Sequence, residues 1–325
     1  MENKESLIEK VFLFGFMPLG EAAGVVAGDL VEIPTPMEIR KHWIKKAQAA
    51  QKLAETDPYV VDDSNIDMVI KDFEPEHRDK LQEIEEYIMT IPLYREFPHE
   101  IKLVEIDKLI ALQNNINLNR VERFSQSVNK ESTMFELLDF TLGRRKYSSK
   151  IESNLVSNNS YLFSSDDEDV RISGPEIKEL PRYDDPVSEQ KSTAFILKVT
   201  SGEPFIYALK TSSLKIGYMQ KLGQVIQGYA KGYQITLQNG FHRAYALKRL
   251  GFTHIPCIII EPVSAQEIQL LNSNWLPERW QQVTSPRPPL LKDFFNPDLC
   301  ETVKVRTRKT CWKITWNIER MSPPV

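Results

Sequence analysis

A His-Arg pair, His242-Arg243, stands inside the stretch Tyr233–Glu261, which reads YQITLQNGFHRAYALKRLGFTHIPCIIIE. Tyr233, Ile235 and Leu237 alternate with Gln234, Thr236 and Gln238, the period of a strand with one apolar face. Asn239-Gly240 is a turn pair, because both residues tolerate positive φ. From Phe241 the spacing of Ala244, Leu247 and Leu250 becomes helical, Gly251 supplies a helix stop, and Ile255–Ile260 is an apolar run of the kind buried on both faces of a sheet. His242 and Arg243 therefore fall in a first helical turn, where the backbone dipole disfavours cations by about 0.3–1 kcal/mol each. An anion seated between them and the helix would make that placement tolerable. The competing reading is an ordinary helix start, with Arg243 paired to a surface carboxylate and His242 bonded to a nearby carbonyl. Residue chemistry alone weighs the two evenly.

Other groups offer less. In the tail, Lys304, Arg306 and Arg308 alternate with Val303, Val305 and Thr307, and Trp312, Ile314, Trp316 and Ile318 alternate with Cys311, Lys313 and Thr315. A basic strand face beside aromatics suits a phosphate backbone with stacked bases. A buried apolar face opposite a solvated basic one is the commoner arrangement, and is preferred here. His42, His77, His99 and His254 lack the spacing of a zinc site, and no phosphate loop of the G-x-x-x-x-G-K-[ST] type is present. Cys257, Cys300 and Cys311 are too few for a disulfide framework, which suits a reducing cytoplasm.

The elements that must position these groups fall into three regions. Residues 1–95 read as a helical N-terminal extension: PMEIRKHWIKKAQAAQKLAE is rich in helix formers, and Leu81, Ile84, Ile88 and Ile91 form one apolar stripe. Residues 96–285 read as the central domain, opening with a half-buried strand in IKLVEIDKLIALQ. This domain carries an insertion at about residues 125–191, rich in Ser, Asn and Asp with an unbroken acidic run Asp166–Asp169; the composition predicts a mobile or solvated segment. Phe195–Val199 and Phe205–Leu209 predict two strands joined as a hairpin by SGEP, and SLKIGYMQKLGQVIQGYA a glycine-weakened helix. Ser264 and Glu267 predict a capping box. Residues 286–325 read as a proline-rich linker followed by a β-hairpin.

QNGFHRAYALKRLGFTHIPCIII resembles the central motif of the ParB/sulfiredoxin-like superfamily: glycine, a variable residue, His or Arg, then Arg, a helix with small residues, glycine, and a strand introduced by Ile-Pro. Here these are Gly240, Phe241, His242, Arg243, Ala244, Ala246, Gly251, Ile255 and Pro256. IKLVEIDKLIALQ with NRVE is similar to the family's first box, and Gln113 and Arg120 are its nearest matches. The resemblance spans about residues 100–125 and 193–285.

It implies an α+β fold with a mixed sheet and a nucleotide whose phosphates lie against Asn239, Gly240, His242 and Arg243. ATP, ADP or CTP with Mg²⁺ are the candidate ligands, and NTP hydrolysis or phosphoryl transfer is one outcome. Relatives include a CTP-dependent DNA clamp, a sulfinic acid reductase, a free-serine kinase and nucleases. The reductases carry Cys where this chain has Phe241, so reduction is not expected. The kinases carry Asp where this chain has Asn239, so a catalytic carboxylate has to come from elsewhere; Glu105 and Asp107 are the candidates. The clamps need a further box and a helix-turn-helix. Asn274 and Arg279 lie where the box belongs, and no helix-turn-helix follows. A non-catalytic DNA- or protein-binding module is the alternative function.

The 325 residues, 41% hydrophobic and 26% charged with net charge -4, fit a soluble protein without a global attraction to nucleic acid or membrane. Glu2, Glu5 and Glu9 are the wrong charge for a signal peptide. The apolar run Val11–Gly20 falls short of the roughly 20 residues that a membrane span needs, and reads as a buried or partner-facing segment. No membrane partner is expected, and the residues do not decide between a monomer and a homodimer.

Overall fold

The computed structural model describes residues 7–20, 22, 36–143, 152–157, 160–165, 170–180, 192–201, 207–212, 232–262, 282–283, 285–306 and 310–315. The chain divides into two compact units. The first joins Met1–Arg144 to Pro204–Thr307, and the second joins Arg145–Glu203 to Arg308–Val325.

In the first unit the chain runs β1 (Leu7–Phe12), α1 (Pro36–Thr56), α2 (Ile66–Val69), β2 (Ile70–Lys71), α3 (Arg78–Ile88) and α4 (Pro92–Glu96). It continues through β3 (His99–Glu105), β4 (Ile110–Ala111), β5 (Asn115–Asn117), α5 (Leu118–Ser125) and α6 (Met134–Leu142). The second unit then contributes β6 (Glu152–Ser157), β7 (Ser160–Ser165), β8 (Val170–Leu180) and β9 (Ser192–Ser201). The chain returns to the first unit with β10 (Tyr207–Ser212), β11 (Tyr233–Asn239), α7 (Phe241–Arg249), β12 (His254–Ile260) and β13 (Glu301–Arg306), and β14 (Thr310–Thr315) lies in the second.

The fold is mixed α+β. The main sheet has the order β2-β3-β12-β10-β11-β4. β12 runs parallel to β10 and antiparallel to β3, and β11 runs antiparallel to β10 and parallel to β4. From Ile255 to Ile260 β12 is buried on both faces, as its unbroken apolar run predicts. Ile255, Cys257 and Ile259 join Ile235, Leu237 and the α7 residues Ala244 and Leu247 in one core. Ile258 and Ile260 join Ile84 and Ile88 of α3 and Leu138 and Leu142 of α6 in the other. Among the described residues no helix is long and apolar enough to cross a membrane.

Several sequence expectations are corrected. The N-terminal extension is not wholly helical: β1 sits between β13 and β5 in a second, three-stranded sheet. Its apolar run is nevertheless buried, at Val11, Phe12, Leu13, Phe14 and Met17. The insertion at 125–191 is not uniformly solvated. It holds α6, whose Leu137, Leu138 and Leu142 are core residues, and the strands β6 to β8. Phe195–Val199 and Phe205–Leu209 do contribute strands, but β9 pairs with β8 and β10 with β11 and β12, so they form no hairpin.

The tail does not fold as a hairpin either. β13 pairs with β1 in the first unit, and β14 pairs with β7 in the sheet β14-β7-β6 of the second. The proline-rich segment is not a linker. Pro286 and Pro289 accept backbone bonds from Tyr59 and Ala111, and Leu290, Leu291 and Phe294 are buried. Arg287 grips Asp293 through two bonds, Nη2 to Oδ1 at 2.6 Å and Nη1 to Oδ2 at 2.9 Å. The expected helices within 213–230 and 264–275, together with Asn274 and Arg279, lie outside the described residues.

Candidate functional site

The strand, turn and helix around the His-Arg pair form where the residue pattern puts them. β11 ends at Asn239, and Gly240 takes φ 91° and ψ 17°, a left-handed conformation that costs other residues but not glycine. The Gly240 carbonyl then accepts the first helical bond, from Ala244 N at 2.9 Å. At the far end of α7, Gly251 N–H reaches the Lys248 carbonyl at 3.0 Å and Phe252 N–H the Leu247 carbonyl at 3.1 Å, with Gly251 at φ 95°. These two bonds are the Schellman closure.

The first turn of α7 is not a solvated helix start. His242 is 8% exposed and Arg243 4%. Arg243 Nη1 donates to the Thr141 carbonyl at 2.8 Å and to the Phe140 carbonyl at 3.4 Å. Those carbonyls close the last turn of α6, where intrahelical donors run out and a cation is favoured by the dipole. The arginine thus serves the end of another helix. The start of α6 is fixed by a reciprocal capping box between Thr133 and Glu136.

His242 is the unsatisfied member of the pair. Its Nε2 is buried with no hydrogen-bond partner. Burial, reinforced by the charges of Arg120, Lys10, Arg123 and Arg243, pushes its pKa down to about 3, so the ring is neutral at pH 7. Packing explains why these cations gather. Lys10 of β1 lies opposite Asn117 of β5. Asn117 Oδ1 caps α5 by accepting from Arg120 N at 3.3 Å, and Asn119 Oδ1 of α5 accepts from Glu9 N of β1 at 3.3 Å. α5 packs beside α7, with Val121 in the same core as Phe241 and Ala244. The Arg120 guanidinium also lies 5.8 Å from the Phe124 ring centroid. A neutral imidazole and several fixed cations at a helix N-terminus are chemically suited to an anion.

The other expected site residues are scattered. Gln113 Nε2 donates to the Asn115 carbonyl at 2.7 Å, a local bond that shapes the approach to β5. Asn239 ends β11 opposite Tyr207. The two carboxylates proposed as catalytic are not at the turn, which corrects their assignment. Asp107 binds Lys248 Nζ at 2.6 Å, and Glu105 pairs in register with His254; both positions adjoin the C-terminal end of α7. Six residues of helix, on the order of 9 Å, separate that end from His242. Lys304 is exposed and Val305 buried, one solvated and one packed face of β13. Arg306 pairs in register with Leu7, and Arg308 lies outside the described residues.

Two members of the cluster, Lys10 and Arg123, were not among the sequence candidates. Arg123 follows Arg120 by three positions, a same-face helical spacing visible in LNRVERF. Lys10 gives no such signal, because its proximity depends on β1 pairing with β5. Among the described residues no group of three or more His, Cys, Asp or Glu side chains could hold a metal ion. The donor set around His242 is cationic and does not fit Mg²⁺. Comparisons with protein-family models, curated proteins and solved structures gave no match to this chain.

Proposed function

We propose that this protein binds the phosphates of a nucleotide at His242 and the first turn of α7. The observation that carries the reading is the buried, unpartnered Nε2 of His242 beneath the charges of Lys10, Arg120, Arg123 and Arg243. A buried polar atom without a partner costs about 1–3 kcal/mol, and a phosphate oxygen accepting from Nε2–H recovers that cost. The resemblance of QNGFHRAYALKRLG to the ParB/sulfiredoxin-like motif supports the same ligand and, with the mixed sheet, the same finer fold class.

The reading is one of binding without an assigned reaction. Asp107 is engaged with Lys248 away from the turn, and Phe241 offers no nucleophile. Cys257 is fully buried, and burial pushes its thiol pKa far above the usual range. Mg²⁺ would arrive on the nucleotide, coordinated by phosphate oxygens. The DNA- or protein-binding alternative keeps Asn239 and Phe241 in its favour but loses the basic hairpin, since Lys304 and the strand after it belong to different sheets.

The test is thermal melting of the full chain with ATP, ADP, CTP and GTP, with and without Mg²⁺. At least one nucleotide should raise the melting temperature, since a ligand at 100 times its Kd stabilises by about 2.7 kcal/mol. Arg120→Gln should abolish that shift, measured against the variant's own ligand-free melting temperature. Absence of a shift with all four nucleotides defeats the proposal.

A further inference from the structure

We propose that the face of the main sheet turned away from α7 carries a second binding site, where Gln234, Thr236 and Gln238 of β11 take an uncharged nucleoside with an adenine-type edge. The site is separate from His242, and it stands or falls independently of the phosphate reading.

Alternation in YQITLQN gives β11 one apolar row and one polar row. Ile235 and Leu237 of the apolar row pack with Ala244 and Leu247 of α7, so Gln234, Thr236 and Gln238 belong to the opposite face. A half-solvated strand would leave that polar face to water. Instead Gln234 is 6% exposed and Thr236 2%. Gln234 Oε1 and Gln238 Nε2 are buried with no hydrogen-bond partner. Burying such atoms unpaired opposes folding, and here it occurs twice on one row.

The neighbouring strands give the row its setting. Leu209 of β10 and Ile110 of β4 lie in register with Thr236, one on each side. Leu209 packs with Ile258 and Ile260 of β12 in the cluster shared with α3 and α6. Ile110 packs with Leu112, Val283 and Leu290 in a different cluster. The polar row thus runs between two apolar banks, and none of these side chains is charged. Such a setting suits a planar heterocycle, with its faces on apolar side chains and its polar edge on the row. Four residues of strand, about 13 Å, separate Gln234 from Gln238. A base with its sugar beside it spans that row better than a single ring. Gln238 is half-buried and Gln234 buried, which puts the base at Gln234 and the sugar hydroxyls at Gln238. A carboxamide pairs with an adenine edge by accepting from the N6 amine and donating to N7. That amine is the donor that Gln234 Oε1 lacks.

Calorimetric titration of the full chain with adenosine, inosine and ribose tests this directly. Adenosine should bind. Inosine, with a carbonyl in place of the N6 amine, should bind at least about tenfold more weakly, as expected for loss of a bidentate base contact. Ribose alone should give no binding heat. Gln234→Leu should abolish adenosine binding yet raise the ligand-free melting temperature, because an apolar group of similar size replaces an unpaired buried amide. Thr236→Val, which keeps the volume, should weaken adenosine about threefold and serves if Gln234→Leu does not fold. Absence of adenosine binding overturns the proposal and leaves buried water as the partner of the row. Equal affinity for adenosine and inosine overturns it too, as does adenosine binding unchanged in the folded variants. Inorganic tripolyphosphate, a probe of the phosphate site, should leave adenosine affinity unchanged. Competition between the two would place the nucleoside at His242 and sink the second site while sparing the phosphate reading.

Discussion

Arg243 and His242 are adjacent, yet replacing each should disturb a different property. Arg243→Ala removes the donor to Phe140 and Thr141, more than a hundred positions earlier in the chain, and strands a buried carbonyl at Thr141 and a half-buried one at Phe140. The expected cost is about 2 kcal/mol, visible as a lower urea midpoint, with Arg243→Lys recovering only part because an ammonium lacks the planar fork. His242 should instead govern acid stability. Its folded-state pKa of about 3 lies below the ordinary 6.5, so the unfolded chain takes up this proton first as pH falls. Its contribution is complete above about pH 6.5 and is lost on descent toward pH 3, at roughly 1 kcal/mol per pH unit. Between about pH 7 and pH 5 the wild type should lose about 2 kcal/mol more than His242→Gln, measured by denaturant unfolding at both values.

At the scale of elements, the parts legible in the sequence are those specified by neighbours along the chain. β11, the Gly240 turn, α7 and β12 appear within a residue of their expected bounds, because alternation, helical spacing and two glycines act locally. Gly240→Ala forces a side chain into φ 91°, and should lower stability by about 1 kcal/mol in thermal melts. Thr133→Ala removes a hydroxyl from the capping box of α6 and should cost about as much, with the helix fraying from Thr133 in amide exchange. What the sequence concealed is the choice of neighbour. Alternation identifies a strand and its faces but not the strand beside it. Short connections suggested hairpins for β9 with β10 and β13 with β14, and in both cases the chain leaves one unit for the other instead. The site shows the same division. His242, Arg243 and Arg120 lie in readable motifs, whereas Lys10 joins them only through the pairing of β1 with β5. Glu105 and Asp107 were misplaced because nearness to the first box says nothing about which end of α7 the strand meets.

For the whole molecule, the separate destinations of β13 and β14 give a further prediction. Ending the chain at Thr307 removes β14 and leaves β6 and β7 as a two-stranded ribbon, which is marginal in water. Amide exchange in β7 should accelerate, while β12 in the core of the first unit keeps its protection. The pairing of β1 with β13 has a consequence of another kind. Leu7 meets Arg306 and Lys10 meets Val303, so during synthesis β1 has to wait for a strand that lies nearly three hundred residues further along the chain. At ordinary synthesis rates that wait is on the order of 15–60 s, during which the apolar residues Val11, Phe12 and Phe14 lack their final cover. The strand that carries Lys10 is fixed only when β13 arrives. The three-stranded sheet β13-β1-β5 therefore closes only after nearly the whole of this unit has been made.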